Sequence, residues 1–302
     1  MPMPESQSSA TPNATAQAAR GVAVQPITDA DTWAVAEFMH RGMSSGRSAA
    51  EWHQVMTAPW GVEQPNHGYL LRDDGRVVGA YLALYSERVI DGRTRRICNL
   101  GAWCVSQEHR ANGLRLLRAL LRNKGYSFTD LTPSETVVAL NDRLGFTLLD
   151  TTTALVPNTP WPMRSRGVRI VDTPNEIDEL LAGHDQTIYR DHAAAAVYHV
   201  ALLKDGRVCY VMFRRERRKR LPLFAYIVYV SNPLLFRDCA PQFYRYLLMC
   251  HGMVATLAET RIVGHRPKRA VMIAGWSKMF LSDELEAAQI DYLYSELTCR
   301  PW

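Results

Sequence analysis

Four residues, Asp74-Gly75-Arg76-Val77, return unchanged as Asp205-Gly206-Arg207-Val208, 131 positions further along the chain. An Asp-Gly pair between runs rich in apolar residues signals a β-hairpin, because both centres of a type I′ turn need a positive φ. The same offset carries Leu116 onto Leu247 within a second amphipathic stretch. With a drift to 134 it carries Pro133 onto Pro267 and Phe146 onto Phe280. A recurrence on this scale predicts two lobes of one architecture, which a chain of 302 residues is long enough to hold. We place them at 26–158 and 166–302, joined by a linker at 159–165.

Residues 1–25 carry almost no large apolar side chain and read as a disordered tail. They lack the basic start and apolar run of a secretory signal. Beyond them, amphipathic helical spacing covers 31–39, and a shorter helix is expected over 49–56. A hairpin follows at 69–85, then a third strand at 97–105 after Asp91-Gly92. A helix over 113–122, a strand over 126–131, a helix over 134–144 and a last strand over 146–156 complete the first lobe. In the second lobe, strands at 208–213 and 224–230 and an amphipathic helix at 241–253 repeat the pattern. The fold class is α+β, each lobe a mixed, mostly antiparallel sheet flanked by helices.

Composition narrows the function classes. With 47% apolar and 22% charged residues the chain is globular, and no stretch approaches the 18 or so apolar residues of a membrane span. Six cysteines lie scattered without C-x-x-C spacing, so reduced thiols in a cytoplasmic protein are expected, and no metal site. The net charge of +5 is local, since the run 214–220 holds six cations against Glu216. A solvated hairpin loop is expected for this run, ahead of recognition of a phosphate-bearing or acidic acceptor; a nucleic-acid surface would join aromatics with spread positive charge.

Chemistry concentrates where the strand ending at Val105 runs through Ser106-Gln107-Glu108-His109-Arg110-Ala111-Asn112-Gly113 straight into a helix. Amides at such a junction lack intrahelical acceptors, and the helix dipole favours an anion there. Arg110, Arg115, Arg118, Arg122 and Lys124 add cations, and Gly113 offers close backbone approach. A solvated basic helix face would account for the same composition.

Three antiparallel strands, this junction, a strand, a helix and Arg143-Leu144-Gly145-Phe146 together resemble the GCN5-related N-acetyltransferase (GNAT) superfamily. That family's loop reads R/Q-x-x-G-x-G/A; here it is Arg110-Ala111-Asn112-Gly113-Leu114-Arg115. The resemblance spans the first lobe and implies an acyl-CoA co-substrate, with no metal. Its pyrophosphate would lie on the amides of residues 111–115 and its pantetheine between the strands at 100–105 and 126–131. Backbone amides near Cys104 and Val105 would resemble the family's oxyanion donors. Two positions depart from the family. Arg115 replaces a small residue and could crowd or bind the pyrophosphate. Asn141 stands where a tyrosine often protonates the departing thiolate, and an amide cannot give up a proton.

Acyl transfer needs a deprotonated nucleophile beside the thioester and donors for the developing oxyanion. Base candidates precede the first hairpin: Glu51, His53, Glu63 and His67, with His67 placed first. Cys104 could serve as a covalent nucleophile, although a thiol between Trp103 and Val105 suits core packing. The second lobe has no such loop, because Pro233 removes an amide where a phosphate cradle would need one. The expected activity is acyl transfer from coenzyme A to an amine of a small molecule, an amino sugar or a peptide terminus. Two alternatives remain open: a non-catalytic scaffold or acyl-CoA sensor, and an RNA-dependent aminoacyl or acyl transferase.

Overall fold

A computed structural model describes residues 21–57, 60, 64–160, 167–218 and 221–299. The first half runs β1 (Ala23–Pro26), α1 (Thr32–Gly42), α2 (Ala49–Met56), β2 (Gly68–Asp73), β3 (Arg76–Ile90), β4 (Arg93–Val105), α3 (Gly113–Leu121), β5 (Ser127–Asp130), α4 (Glu135–Arg143), β6 (Thr147–Leu148) and β7 (Thr153–Pro157). The second runs β8 (Arg169–Val171), α5 (Pro174–Leu180), α6 (Gly183–His192), β9 (Tyr198–Lys204), β10 (Arg207–Arg218), β11 (Leu221–Val230), α7 (Pro233–His251), β12 (Ala255–Glu259), α8 (Thr260–Val263), β13 (Val271–Ile273), β14 (Met279–Leu281) and α9 (Glu296–Cys299).

The repeated turns adopt the expected conformation. Asp74 and Gly75 have φ of 42° and 78°, Asp205 and Gly206 51° and 71°, and Asp91 and Gly92 repeat it at 49° and 74°. Each pair reverses the chain between antiparallel strands, β2–β3, β9–β10 and β3–β4. Ser48 caps α2 by accepting the Glu51 amide at 3.2 Å, while the Glu51 carboxylate accepts the Ser48 amide at 2.7 Å. Glu51 therefore secures a helix start.

Two mixed sheets result, ordered β1-β2-β3-β4-β5-β14-β6 and β8-β9-β10-β11-β12-β7-β13. The order is the same in both, and each sheet borrows its sixth strand from the other half. β14 pairs antiparallel with β5 (Phe280 opposite Thr129), and β7 with β12 (Leu155 opposite Leu257). The single strand expected over 146–156 is thus two strands in two sheets. Both residues of β6 are exposed, whereas Ala154 and Val156 of β7 are buried in the second sheet, so burial draws the chain across after Leu149.

The helix expected over 241–253 starts eight residues earlier than Pro241, at Pro233. Asn232 caps it through its side-chain oxygen, and Pro233 occupies a first-turn position where a missing amide costs little. Three apolar cores follow. One lies under α1 and α2, one under α3, and the largest joins Trp60, Leu84, Ile97 and Leu131 to the second-lobe strands and α7.

The exchange makes the lobes interdependent. Residues 1–158 expressed alone should aggregate, because β5 would present a bare edge and β7 would lose both neighbours. Co-expression with 159–302 should restore a soluble monomeric complex by size-exclusion chromatography. A soluble, monomeric, cooperatively unfolding 1–158 fragment would contradict this reading.

Candidate functional site

The parallel pairing of β4 and β5 is short. It runs from Ile97 opposite Ser127 to Leu100 opposite Asp130 and then stops. β4 continues to Val105 against β3 alone, with Val105 opposite Gly79. Residues 101–105 therefore have no strand on their second edge among the described residues, and a wedge opens between β4 and the chain leaving β5. Unpaired backbone groups along such an edge need a partner, whether water or an extended ligand.

Past Val105 the junction is wound more tightly than an open loop. Residues Gln107–Asn112 form a 3-10 helix that runs into α3, and the Gly113 amide donates to the Arg110 carbonyl. Gly113 packs against Trp103 and Val105. His109 holds the turn, with Nδ1 at 2.8 Å from Ser106 Oγ and Nε2 at 3.0 Å from Asp73 Oδ2 on the β2–β3 hairpin. Arg110 and Ala111 are exposed, Asn112 and Leu114 partly buried. Arg115 is exposed and donates to the Val22 carbonyl and to Asn112 Oδ1, each at 2.9 Å, so its guanidinium lies beside the N-terminal entry to the sheet.

At the apex of the wedge sits a buried polar cluster that sequence reasoning missed. Asp130, 3% exposed, accepts from Asn141 Nδ2 at 2.9 Å and also from the Tyr81 hydroxyl and the Thr132 amide. Burial, reinforced by the neighbouring carboxylate of Glu296, pushes Asp130 up to about 7. Glu296 arrives from the far end of the chain. Its Oε1 accepts from Thr132 Oγ1 at 2.8 Å, and its amide donates to Asn99 Oδ1 at 3.2 Å. A carboxylate inside the expected strand 126–131 was the available signal for Asp130; a lone glutamate in the terminal 292–299 segment gave almost none for Glu296.

Beyond β5 a cavity of about 290 Å³ opens between the lobes, bordered by Leu131, Thr132 and Pro133 on one side and Arg214, Glu216 and Tyr226 on the other. Its wall carries charge under close control. Lys278, 1% exposed, donates to Glu259 at 2.5 Å and to the Tyr226 hydroxyl at 3.1 Å, and burial lowers its pKa. Arg214 pairs with Glu216 at 3.0 Å, both buried. The basic run is thus in part a buried strand, a correction of the solvated-loop expectation. Residues two apart on β10 share one face, and Arg214 and Glu216 neutralise each other there. Lys219 and Arg220 lie outside the described residues.

The other candidates sit elsewhere. His67 has both ring nitrogens engaged, Nδ1 with the Met56 carbonyl at 2.9 Å and Nε2 with Asp29 at 2.7 Å, and clips the start of β2. His53 stacks on Trp33 at 4.3 Å. Glu63 falls outside the described residues. Cys104 is buried against α1, where a Cβ on Gly42 would come within 2.6 Å of its sulfur. Burial raises its pKa, which disfavours the thiolate that a nucleophile needs. Asn141 does reach the apex, fully buried, and its Oδ1 has no hydrogen-bond partner among the described residues. No group of three His, Cys, Asp or Glu among the described residues is placed to hold a metal ion.

No protein-family model and no curated protein matches the sequence. Solved structures do match in fold. A GCN5-related N-acetyltransferase from Anabaena variabilis superposes with a TM-score of 0.57 at 12% identity over 86% of this chain and 72% of its own. One from Kribbella flavida gives 0.51 at 14% identity over 86% and 70%. A GCN5-related glucosamine N-acetyltransferase region of a fungal multi-domain β-N-acetylglucosaminidase gives 0.57 at 12% over 88% of this chain and 38% of that one. The chain has the fold of the GCN5-related N-acetyltransferases, in two lobes.

Asp130 makes a stability prediction. Its folded pKa of about 7 stands above the 3.8 of a free carboxyl, so the folded protein keeps a proton that the unfolded chain gives up. This contribution is fully present below about pH 4 and is lost as the pH rises through about 7, with a slope approaching about 1.4 kcal/mol per pH unit between them. Asp130→Asn should flatten that slope in urea unfolding at pH 5, 6.5 and 8. Parallel profiles for the two proteins would contradict the buried carboxyl.

Proposed function

We propose that the protein is an acyl-CoA-dependent acyltransferase that acylates the amine of a small molecule, with one acyl-CoA bound per chain, in the first lobe at 26–158. The observation that carries this reading is the wedge that opens where β4 outruns β5 and ends at a helix start bearing exposed cations. An extended pantetheine arm fits the free edge of 101–105 as an added strand would. Pyrophosphate fits the exposed start of the 3-10 helix, the dipole of α3 and the Arg110 side chain. The Gly113 amide is already committed, so Arg110 and Arg115 carry more of this binding than open-loop amides would.

In this reading Asp130 takes the proton from the acceptor ammonium. A carboxyl near 7 is a base matched to neutral pH, and Asn141 and Tyr81 hold it at the apex. The amine nitrogen then bonds to the thioester carbonyl carbon, whose oxyanion the free amides of β4 receive. The C–S bond breaks, the proton held on Asp130 passes to the departing thiolate, and the second proton of the former ammonium leaves the amide nitrogen through the freed Asp130 carboxylate to solvent, which removes the need for a tyrosine at position 141. The inter-lobe cavity is assigned to the acceptor. An amino sugar is one candidate, supported by the glucosamine-acetylating region among the structural neighbours. Six cysteines scattered without C-x-x-C spacing support a reducing, cytoplasmic setting. A non-catalytic acyl-CoA-binding scaffold is the second reading, favoured by the wound junction and Asn141.

The test combines binding and turnover. Calorimetry should report one acetyl-CoA site, weakened roughly 10- to 150-fold by Arg110→Ala, the range for one charge-assisted hydrogen bond. Thiol release against amines and amino sugars from pH 6 to 10 should rise and then level off. Asp130→Asn should lower kcat by about 10²- to 10⁴-fold with acetyl-CoA affinity unchanged. Two equivalent sites would contradict the one-lobe assignment, and binding without turnover for any acceptor would favour the scaffold.

A further inference from the structure

The second lobe carries a cleft of about 990 Å³ that the acyl-transfer reading does not use. It lies between α7, the end of β7 and the loop at 265–269, and Arg237, Arg266, Lys268 and Arg269 converge on it. All four side chains are exposed, and no carboxylate pairs with any of them among the described residues. The lining carboxylate, Asp238, faces Lys204 at 3.9 Å. His265 adds a ring whose Nδ1 is held by the Val263 carbonyl at 2.8 Å. Four cations in one concavity repel each other unless an anion joins them.

Two further observations point to a ligand rather than to a merely solvated patch. Tyr244 lines the cleft and is 8% exposed, and its hydroxyl is buried without a hydrogen-bond partner among the described residues. A buried hydroxyl with no partner destabilises the fold, so its retention calls for a group that pairs with it. Arg269 holds a φ of 61°, a left-handed conformation that an arginine rarely takes, just where the loop turns into the cleft. Most of the rest of the lining, including Val156, Pro157, Ala240, Pro241 and Pro267, is apolar.

We infer that this cleft binds a nucleoside di- or triphosphate. The cations meet the phosphates, often as the bidentate partners that guanidinium groups favour, and the Tyr244 hydroxyl hydrogen-bonds the ligand at the cleft floor. The apolar wall takes the base. A bounded concavity suits a small phosphate-bearing molecule better than a polymer, whose contacts would spread along a surface. The site is separate from the lobe-two counterpart of the β4–β5 wedge. There Gly264 packs against Pro233, where a Cβ would come within 2.6 Å of the proline ring.

ADP titrated into the full chain by calorimetry, with and without saturating coenzyme A, tests the inference. We expect one ADP per chain, bound equally in both conditions, with adenosine failing to bind. Arg266→Ala/Arg269→Ala should weaken ADP roughly tenfold or more, in line with lost charge-assisted bonds. Tyr244→Phe should weaken ADP several-fold while its melting temperature stays level or rises, since an unpaired buried hydroxyl is removed. Displacement of ADP by coenzyme A, or affinity unchanged in these variants, would overturn the site. Tighter capture of a short single-stranded RNA, lost in the double variant, would overturn the small-molecule ligand. Arg110→Ala should leave ADP binding unchanged, which separates failure here from failure of the acyl-CoA reading.

Discussion

The structure turns on a parallel strand pair that ends early. β4 and β5 share four residue pairs, Ile97–Ser127 to Leu100–Asp130, and everything proposed for the first lobe depends on what happens past the last one. Longer pairing would have satisfied the backbone of 101–105 and closed the wedge. Its end leaves extended backbone exposed on one edge, and it places Asp130 at the point where two sheet edges and the returning C-terminal segment meet. The low local dielectric there raises the Asp130 carboxyl and strengthens each hydrogen bond that holds it.

That apex is assembled from distant parts of the chain, which the strand exchange brings together. β14 reaches β5 from the second half and carries Lys278 beside it, while the 291–299 segment runs back over the first sheet. Arg88 on β3 grips Asp291 through both terminal nitrogens, one of them at 2.7 Å, in a nearly buried pair. Breaking such a pair from one side strands a buried charge, so it fixes how the C-terminal segment lies. Glu296 is delivered to the apex by this fixation. The second lobe therefore contributes to the first-lobe site through position.

Much of this was legible from residues alone, and the rest was not for physical reasons. The Asp-Gly turns, the helix following Val105 and the doubled architecture follow local rules of turn chemistry and periodicity. The exchange of β7 and β14 could not be read, because both strands keep the same alternation whichever sheet they join. The Arg214 run misled because charge density reads as solvation, whereas Arg214 and Glu216 neutralise each other inside β10. His67 attracted attention as a titratable group near the first hairpin, yet its two hydrogen bonds clip one strand. Asp130 and Glu296 lie far apart in sequence, and only their convergence makes a coupled buried pair. Asn141 was singled out as an absent acid; its partner, Asp130, changes what that position does.

A crystal structure with a non-hydrolysable acetyl-CoA analogue tests the central claim most directly. The account predicts pantetheine paired along residues 101–105, pyrophosphate against Arg110 at the start of α3, and the acyl carbonyl beside the Leu100–Asp130 pair with the inter-lobe cavity open to it. An analogue bound elsewhere, or an acyl group walled off from Asp130 by protein, would contradict it.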